Sequence, residues 1–581
     1  MPARLALGAV IALLGAMAGC DSKSATVACS PDEIPCDSEC IDPTNDLENC
    51  GQCSNACPGD QVCGDGQCTD MCPVGQEVCA HTCVDTTTDR EHCGACDAPC
   101  TADEDCRAGR CEVRCDVGLQ TAMPDPWGAQ WDGVERAAAT LADAEAACAG
   151  FGARLPTPTE LYRVSATQSG AIGTATSTAP LWSAAPANRT LQTALRLSDG
   201  VGSVPAVTTL QAYRCVCAPP QPAFFGGTRC FGPPGDECVS FGRQNIDRSD
   251  RPAIRRSSAI WECAQERGHL ADVPAIAHAI HAGAPGSGVY IATADHSDYR
   301  QSTMMRWTAA AGWTVSGNVS SVLLQNPAPF RCTGSSFISG THPNPIVNEY
   351  VGPGGLYKSD AVDGPTSTWI AAHDRCFSRG GHLPRAAELA ELIVQGLPNG
   401  ANTYQWTADQ VGYDGSSQFL AATVRWLGTD PRFPHEYPTT NTWDYKTGSY
   451  ASRCVYYPVD PMWQPPTTCS GGCFTVAPPV GPAQLVMDST DRAAVRIEVA
   501  IAACAAEGGQ LASERDYTEA IRAGLPNGTN EWNLTSDLGQ GNVMVVRWTN
   551  TSFTDQYPTY STWNAPTAAH TYRCAWTNEA R

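Results

Sequence analysis

Lysine is almost absent from this chain. Three occur in 581 residues, Lys23, Lys358 and Lys446, so nearly all positive charge is arginine. Positive charge as a whole is scarce, with 37 Lys+Arg against 60 Asp+Glu and a net charge of −23. Nucleic-acid binding needs clustered Lys and Arg to meet phosphates, so that class is excluded. The common catalytic signatures are missing too: there is no Gly-x-Ser-x-Gly, His-Glu-x-x-His or Walker pattern. The apolar run from Leu5 to Leu14 is too short to cross a bilayer. At this length several domains are expected.

That short run has its own meaning. Arg4 precedes it and Gly15-Ala16-Met17-Ala18-Gly19-Cys20 follows, which is the layout of a secretory signal. The Ala18-Gly19-Cys20 ending resembles the lipobox of bacterial lipoproteins. The resemblance implies that residues 1–19 are removed and that Cys20 is lipidated, with a linker over 20–28. Several acyl chains would then hold the protein at a membrane, either at the outer membrane or cell surface, or on the periplasmic face of the inner membrane.

What the chain has in abundance is cysteine, 31 in all, leaving 30 after Cys20. From Cys29 to Cys111 they form two registers of eight, offset by the 43 residues from Cys29 to Cys72. "CIDPTNDLENCGQCSNAC" and "CVDTTTDREHCGACDAPC" repeat the same text. Units of this size bury too little apolar surface to fold unaided, so disulfides must hold them. They resemble the stigma-specific (Stig1-like) cysteine-rich repeats common in secreted myxobacterial proteins, over 29–71 and 72–115. Their internal connectivity stays open. The cysteines of Cys50-x-x-Cys53 and Cys93-x-x-Cys96 read as members of the disulfide framework rather than as zinc or redox motifs. Asp42/Asp46 and Asp85/Asp89 suit Asx turns better than a calcium ion.

A longer repeat fills the rest. Four times a helix-like stretch with a cysteine leads through a Leu to a second helix, then aromatic strands, then a strand ending in Arg-Cys. Thr157-x-x-Glu160 and Ser513-x-x-Asp516 have capping-box spacing. Gly-Leu-Pro-Asn-Gly occurs twice, at 396–400 and 524–528, and reads as a helix C-cap and turn. "ATVRWL" and "NVMVVRWT" read as strands. A bridge from each helix cysteine to its closing strand would contribute about 4 kcal/mol.

The whole is α+β. It resembles tandem C-type lectin-like domains, over 116–219, 224–334, 342–457 and 466–581, and "ARLPTPTE" is distantly similar to the formylglycine-generating enzyme branch. The resemblance implies bridges Cys148–Cys215, Cys263–Cys332, Cys376–Cys454 and Cys504–Cys574. Cys230 would then join Cys238, Cys469 would join Cys473, and Cys115 would join Cys215 or Cys217. Calcium-dependent members use an acid-Pro-Asn loop and a Trp-Asn-Asp strand; Leu397-Pro398-Asn399 and Leu525-Pro526-Asn527 lack the acid. No metal and no cofactor is therefore expected. His278-x-x-His281 has metal-ligand spacing on a helix but reads as a surface pair.

The remaining candidates are aromatics with polar neighbours, which suit stacking on sugars or peptides. Tyr437, Trp443 and Asp444 recur as Tyr557, Trp563 and Asn564, in what reads as a long loop. Trp426 and Trp548, inside strands, read as core. The expected function is a lipid-anchored recognition or adhesion protein of the cell envelope, not an enzyme. Its partners would be a glycan or protein at the cell surface, together with the membrane. The alternatives are a structural envelope protein without a specific ligand and an enzyme of the formylglycine-generating type.

Overall fold

A computed structural model describes residues 29, 33–36, 39–44, 46–59, 61–64, 66–69, 72, 76–79, 82–107, 109–126, 128–168, 178–187, 190–217, 230–232, 236–241, 244–266, 268–298, 301–307, 322–323, 326–335, 349–351, 357–398, 403–411, 420–425, 440–481, 484–526, 531–539, 542–548, 560–564 and 567–579. Cys20 and its signal lie outside them. The fold mixes helix and strand in many small sheets, and it divides into two units, 1–117 and 118–581. Among the described residues no helix is long and apolar enough to cross a membrane.

Unit 1 is built of hairpins and disulfides. In both registers the first cysteine pairs with the third, the second with the fifth, the fourth with the seventh and the sixth with the eighth. Cys29–Cys40, Cys36–Cys53, Cys50–Cys63 and Cys57–Cys68 make the first set. Cys72–Cys83, Cys79–Cys96, Cys93–Cys106 and Cys100–Cys111 repeat it. Strand Val62–Gly64 runs parallel to Thr82–Val84, so a hairpin of each register joins one four-stranded sheet. Gly51 and Gly94 sit at φ +77°, each with a would-be Cβ 2.4 Å from a glycine carbonyl, of Gly66 and Gly109 respectively. Side chains are barred there on both counts.

Unit 2 repeats one module four times. The helix pairs are α1 (Leu141–Ala149) with α2 (Pro158–Arg163), α3 (Arg256–Gln265) with α4 (Val273–His281), α5 (Trp369–Ser378) with α6 (Ala386–Val394), and α7 (Ile497–Ala506) with α8 (Glu514–Arg522). Sequence sets their ends. Thr157 and Ser513 form capping boxes with Glu160 and Asp516, and Asp272 caps α4. After α6 and α8 come Gly396 at φ +97° and Gly524 at φ +96°; Leu397 and Leu525 then bond back to Leu392 and Ala520. The Gly-Leu that opens each repeated Gly-Leu-Pro-Asn-Gly is thus a Schellman-type stop. In three modules a five-stranded sheet follows; among the described residues the corresponding sheet of the third module has three strands, Gln405–Val411, Leu420–Arg425 and Thr440–Tyr445. Bridges Cys148–Cys215, Cys263–Cys332, Cys376–Cys454 and Cys504–Cys574 staple helix to closing strand. Cys230–Cys238 and Cys469–Cys473 are bridged, and Cys115 and Cys217 are also disulfide-bonded.

The recurrent Arg-Cys has a further purpose. In each module an aspartate early in the chain accepts the closing cysteine's backbone N–H: Asp132 at 2.6 Å, Asp247 at 2.6 Å, Asp360 at 3.1 Å and Asp488 at 2.8 Å. The preceding arginine is buried and binds an acid three residues beyond that aspartate, as Arg331 does Asp250, Arg453 does Asp363 and Arg573 does Asp491. Arg331 and Arg573 also donate to the carbonyls of Pro285 and Pro526 in the turns after α4 and α8. Arg136, Arg251 and Arg492 neutralise three of the aspartates from four residues on. The third module has Gly364 at that position, where a Cβ would lie 2.3 Å from the Arg375 guanidinium carbon; Arg375 and Arg379 of α5 reach Asp360 instead.

Candidate functional site

The aromatic candidates come first. Tyr437, Tyr557 and Trp426 lie outside the described residues. Trp443 and Asp444 belong to strand Thr440–Tyr445, and Trp563 and Asn564 to Tyr560–Asn564, rather than to a long loop. Among the described residues each strand is the outer edge of its sheet. Trp443 stands opposite Ala422 and Trp563 opposite Met544, in equivalent registers. Trp548 is buried, beside Tyr517 and beneath the Arg573 guanidinium at 4.9 Å. It is core.

The densest chemistry lies elsewhere, where the second, third and fourth modules meet. Helix α4 packs on strand 533–539, α6 on 291–298 and α8 on 405–411, so the three close in a cycle. At its centre Arg385, the N-cap residue of α6, meets four carboxylates. Asp537 is 2.9 Å away, Asp409 3.4 Å, and Asp272 and Asp295 3.5 Å each. Asp295, Asp409 and Asp537 hold equivalent places in "TAD", "TAD" and "TSD". Each also accepts the first backbone N–H of its own module's second helix, from Val273, Ala386 and Glu514. Helix N-termini carry partial positive charge, which is why one guanidinium suffices for so many acids. Ala185 takes this place in the first module, and there Glu262 of the second caps Thr159 at 2.9 Å.

Burial first, and Asp272 second, push the Asp295 carboxyl up to about 7, against the pull of Arg385. A raised folded pKa means the native state keeps a proton that the unfolded chain releases near pH 4. Stability from this group is therefore full below pH ~4 and is lost as pH rises towards 7. Asp295→Asn keeps the acceptor for Val273 and never ionises. It is expected to stabilise unit 2 at pH 8 by on the order of 2–4 kcal/mol and to do little near pH 4. Melts of both proteins across pH 4–8 check this; parallel curves would refute it.

Two seams of the cycle are closed by histidine. His269, six residues after Cys263, meets Glu391 of α6 at 2.7 Å. His382, six residues after Cys376, sits buried between Glu519 of α8 at 2.6 Å and Glu579 at 2.7 Å. Both ring nitrogens face carboxylate oxygens, an arrangement satisfied by the imidazolium, which donates from both. At the third seam Gln510 of the fourth module and His278 of α4 hold the equivalent places, and a cavity of about 590 Å³ opens. His278 is buried and stacks on Phe241 with ring centres 5.6 Å apart, so it is not the surface residue its sequence suggests. The side chain of His281 is outside the description.

The Asx-turn reading of the cysteine-rich repeats agrees with the hydrogen bonds. Asp42 accepts from Thr44 N–H, Asp46 from Glu48 and Asn49, Asp85 from Thr87, and Asp89 from Glu91 and His92. Among the described residues the sulfur clusters with metal-ligand geometry are Cys50-Cys57-Cys68, Cys93-Cys100-Cys111 and Cys29-Glu33-Cys40. Their cysteines are all in disulfides and offer no thiolate.

Residues 62–114 match the stigma-specific STIG1-like protein family. The match takes in the shared four-stranded sheet and the second register of cysteines. No curated protein matches the chain.

Proposed function

We propose that this chain is an exported, lipid-anchored recognition protein of a bacterial cell envelope. In this reading unit 2 carries tandem C-type lectin-like modules, and unit 1 carries Stig1-like repeats that follow the lipidated Cys20 in the sequence. The module supports it: two helices, paired sheets and a cysteine bridge from first helix to closing strand, repeated four times. Sixteen cysteines locked into two identical disulfide registers suit an oxidising, extracytoplasmic setting. The protein binds and does not catalyse, and its partner is a glycan or protein at the cell surface.

The edge strands carry the contacts in this reading. Trp443 and Trp563, with Tyr437, Tyr557, Asp444 and Asn564, are the residues assigned to the ligand, because aromatic rings with hydrogen-bonding neighbours in the chain suit stacking on sugars or peptides. Trp443→Ala combined with Trp563→Ala should weaken affinity for an array-selected glycan or peptide by at least ~1 kcal/mol per site, with melting unchanged. An unaltered affinity in the folded double variant removes this site. The anchor has a separate check: Cys20→Ala should move the protein from salt-washed membranes to the soluble fraction, and persistence on the membranes would sink it.

A further inference from the structure

The three seams of the module cycle are built to one plan, and one is left open. Where Phe377 follows Cys376 at the seam between the third and fourth modules, Ala505 follows Cys504 at the seam between the fourth and second. Where His382 and Glu519 fill the first, Gln510 and His278 stand in the second. The filled seam leaves about 10 Å³ of space, beside Phe377, His382 and Glu519. The open one belongs to a cavity of about 590 Å³ that runs on past Glu388, Glu391 and His269 at the junction of the three modules, a volume within the range of small-molecule sites.

Its walls divide by chemistry. Ile260 and Leu270 on one side and Ala505, Ala506 and Trp576 on the other are apolar. The polar lining holds six carboxylates, on Asp272, Asp295, Glu388, Glu391, Asp516 and Glu579, against the guanidinium groups of Arg256, Arg385 and Arg515 and the His269 imidazole that pairs with Glu391. Asp272, Asp295 and Asp516 accept backbone N–H groups at helix starts, which offsets part of their charge. The remaining excess is negative, inside a chain of net charge −23, so an anion is repelled and a cation drawn in.

We infer that the open seam is a binding site for a small organic cation on an aliphatic stem, an alkylamine or guanidinium such as a lysine or arginine side chain presents. The stem lies along the alanine and tryptophan wall, and the charged end reaches the carboxylates. The site is distinct from the edge strands bearing Trp443 and Trp563, so either can fail without the other. Calorimetric titration of the full chain with cadaverine and with agmatine tests it, using glutarate and methyl glucoside as counter-probes. Both cations should bind saturably and the counter-probes should not. Ala505→Phe fills the seam without touching a charge, and His278→Glu with Gln510→His rebuilds the closed pairing. Each should lower cation affinity at least about tenfold with no fall in melting temperature. Absence of saturable cation binding, equal binding of glutarate or glucoside, or unchanged affinity in both variants overturns the inference.

Discussion

Arg573→Met should destabilise the fourth module by about 3–5 kcal/mol, because it strips a buried ion pair of one partner. The guanidinium is fully buried, with its Nε 2.7 Å from Asp491 and its other nitrogens donating to the carbonyls of Asp488, Ser489 and Pro526. Methionine keeps much of the volume over Trp548 and none of the donors. Asp491 is then left buried without a counter-charge, and the turn after α8 loses its tie to the closing strand. Arg496→Met is the matched control, an exposed arginine paired with Glu498 at 2.8 Å on the surface. It should cost under about 0.5 kcal/mol. Urea denaturation of the three proteins gives the comparison; equal midpoints for the two variants would show that the Arg-Cys arginine is not a tie.

Arg385→Met should cost on the order of 3–5 kcal/mol by the same reasoning, and its cost should depend on pH. Asp295, Asp409 and Asp537 then face one another across three helix starts with no cation between them. Burial, ahead of the pull of Arg385, already raises the Asp409 carboxyl as it does that of Asp295. Loss of the guanidinium raises both further. Acids with raised folded pKa values lose stability as pH climbs through the interval above their unfolded value near 4. The deficit of the variant should therefore be larger at pH 8 than at pH 5. A deficit that is equal at both, or greater at pH 5, would mean that Arg385 does not neutralise the junction.

Much of this is written locally in the sequence. Capping boxes at Thr157 and Ser513, the glycine stops at Gly396 and Gly524, and the strand around Val543–Val546 depend on neighbours within a few residues, and the structure has them. The two cysteine registers announce a repeat, although the order of pairing within it needs the fold. From sequence, Trp443 and Trp563 read as part of a long loop. The alternation in "TNTWDY" and its pairing with Leu420–Arg425 make a strand instead. The junction was not legible. Arg385 meets residues 90 and 152 positions away, in other modules, and no local pattern specifies such a meeting. One signal was available: "TAD", "TAD" and "TSD" recur in step in the three modules of the cycle, and the first module has Ala185 where they have aspartate.

The central claim, that the chain recognises a surface ligand without a metal, is tested most directly on an array of glycans and peptides probed with the full chain, with and without chelator. Retention on a discrete set of ligands, unchanged by chelation, is expected, because the acid-Pro-Asn loop and the complete Trp-Asn-Asp strand are missing from the sequence. Retention on no ligand, or a loss of about tenfold on adding chelator, would contradict it, the second outcome pointing to a cation held by Asp444 and Asn564.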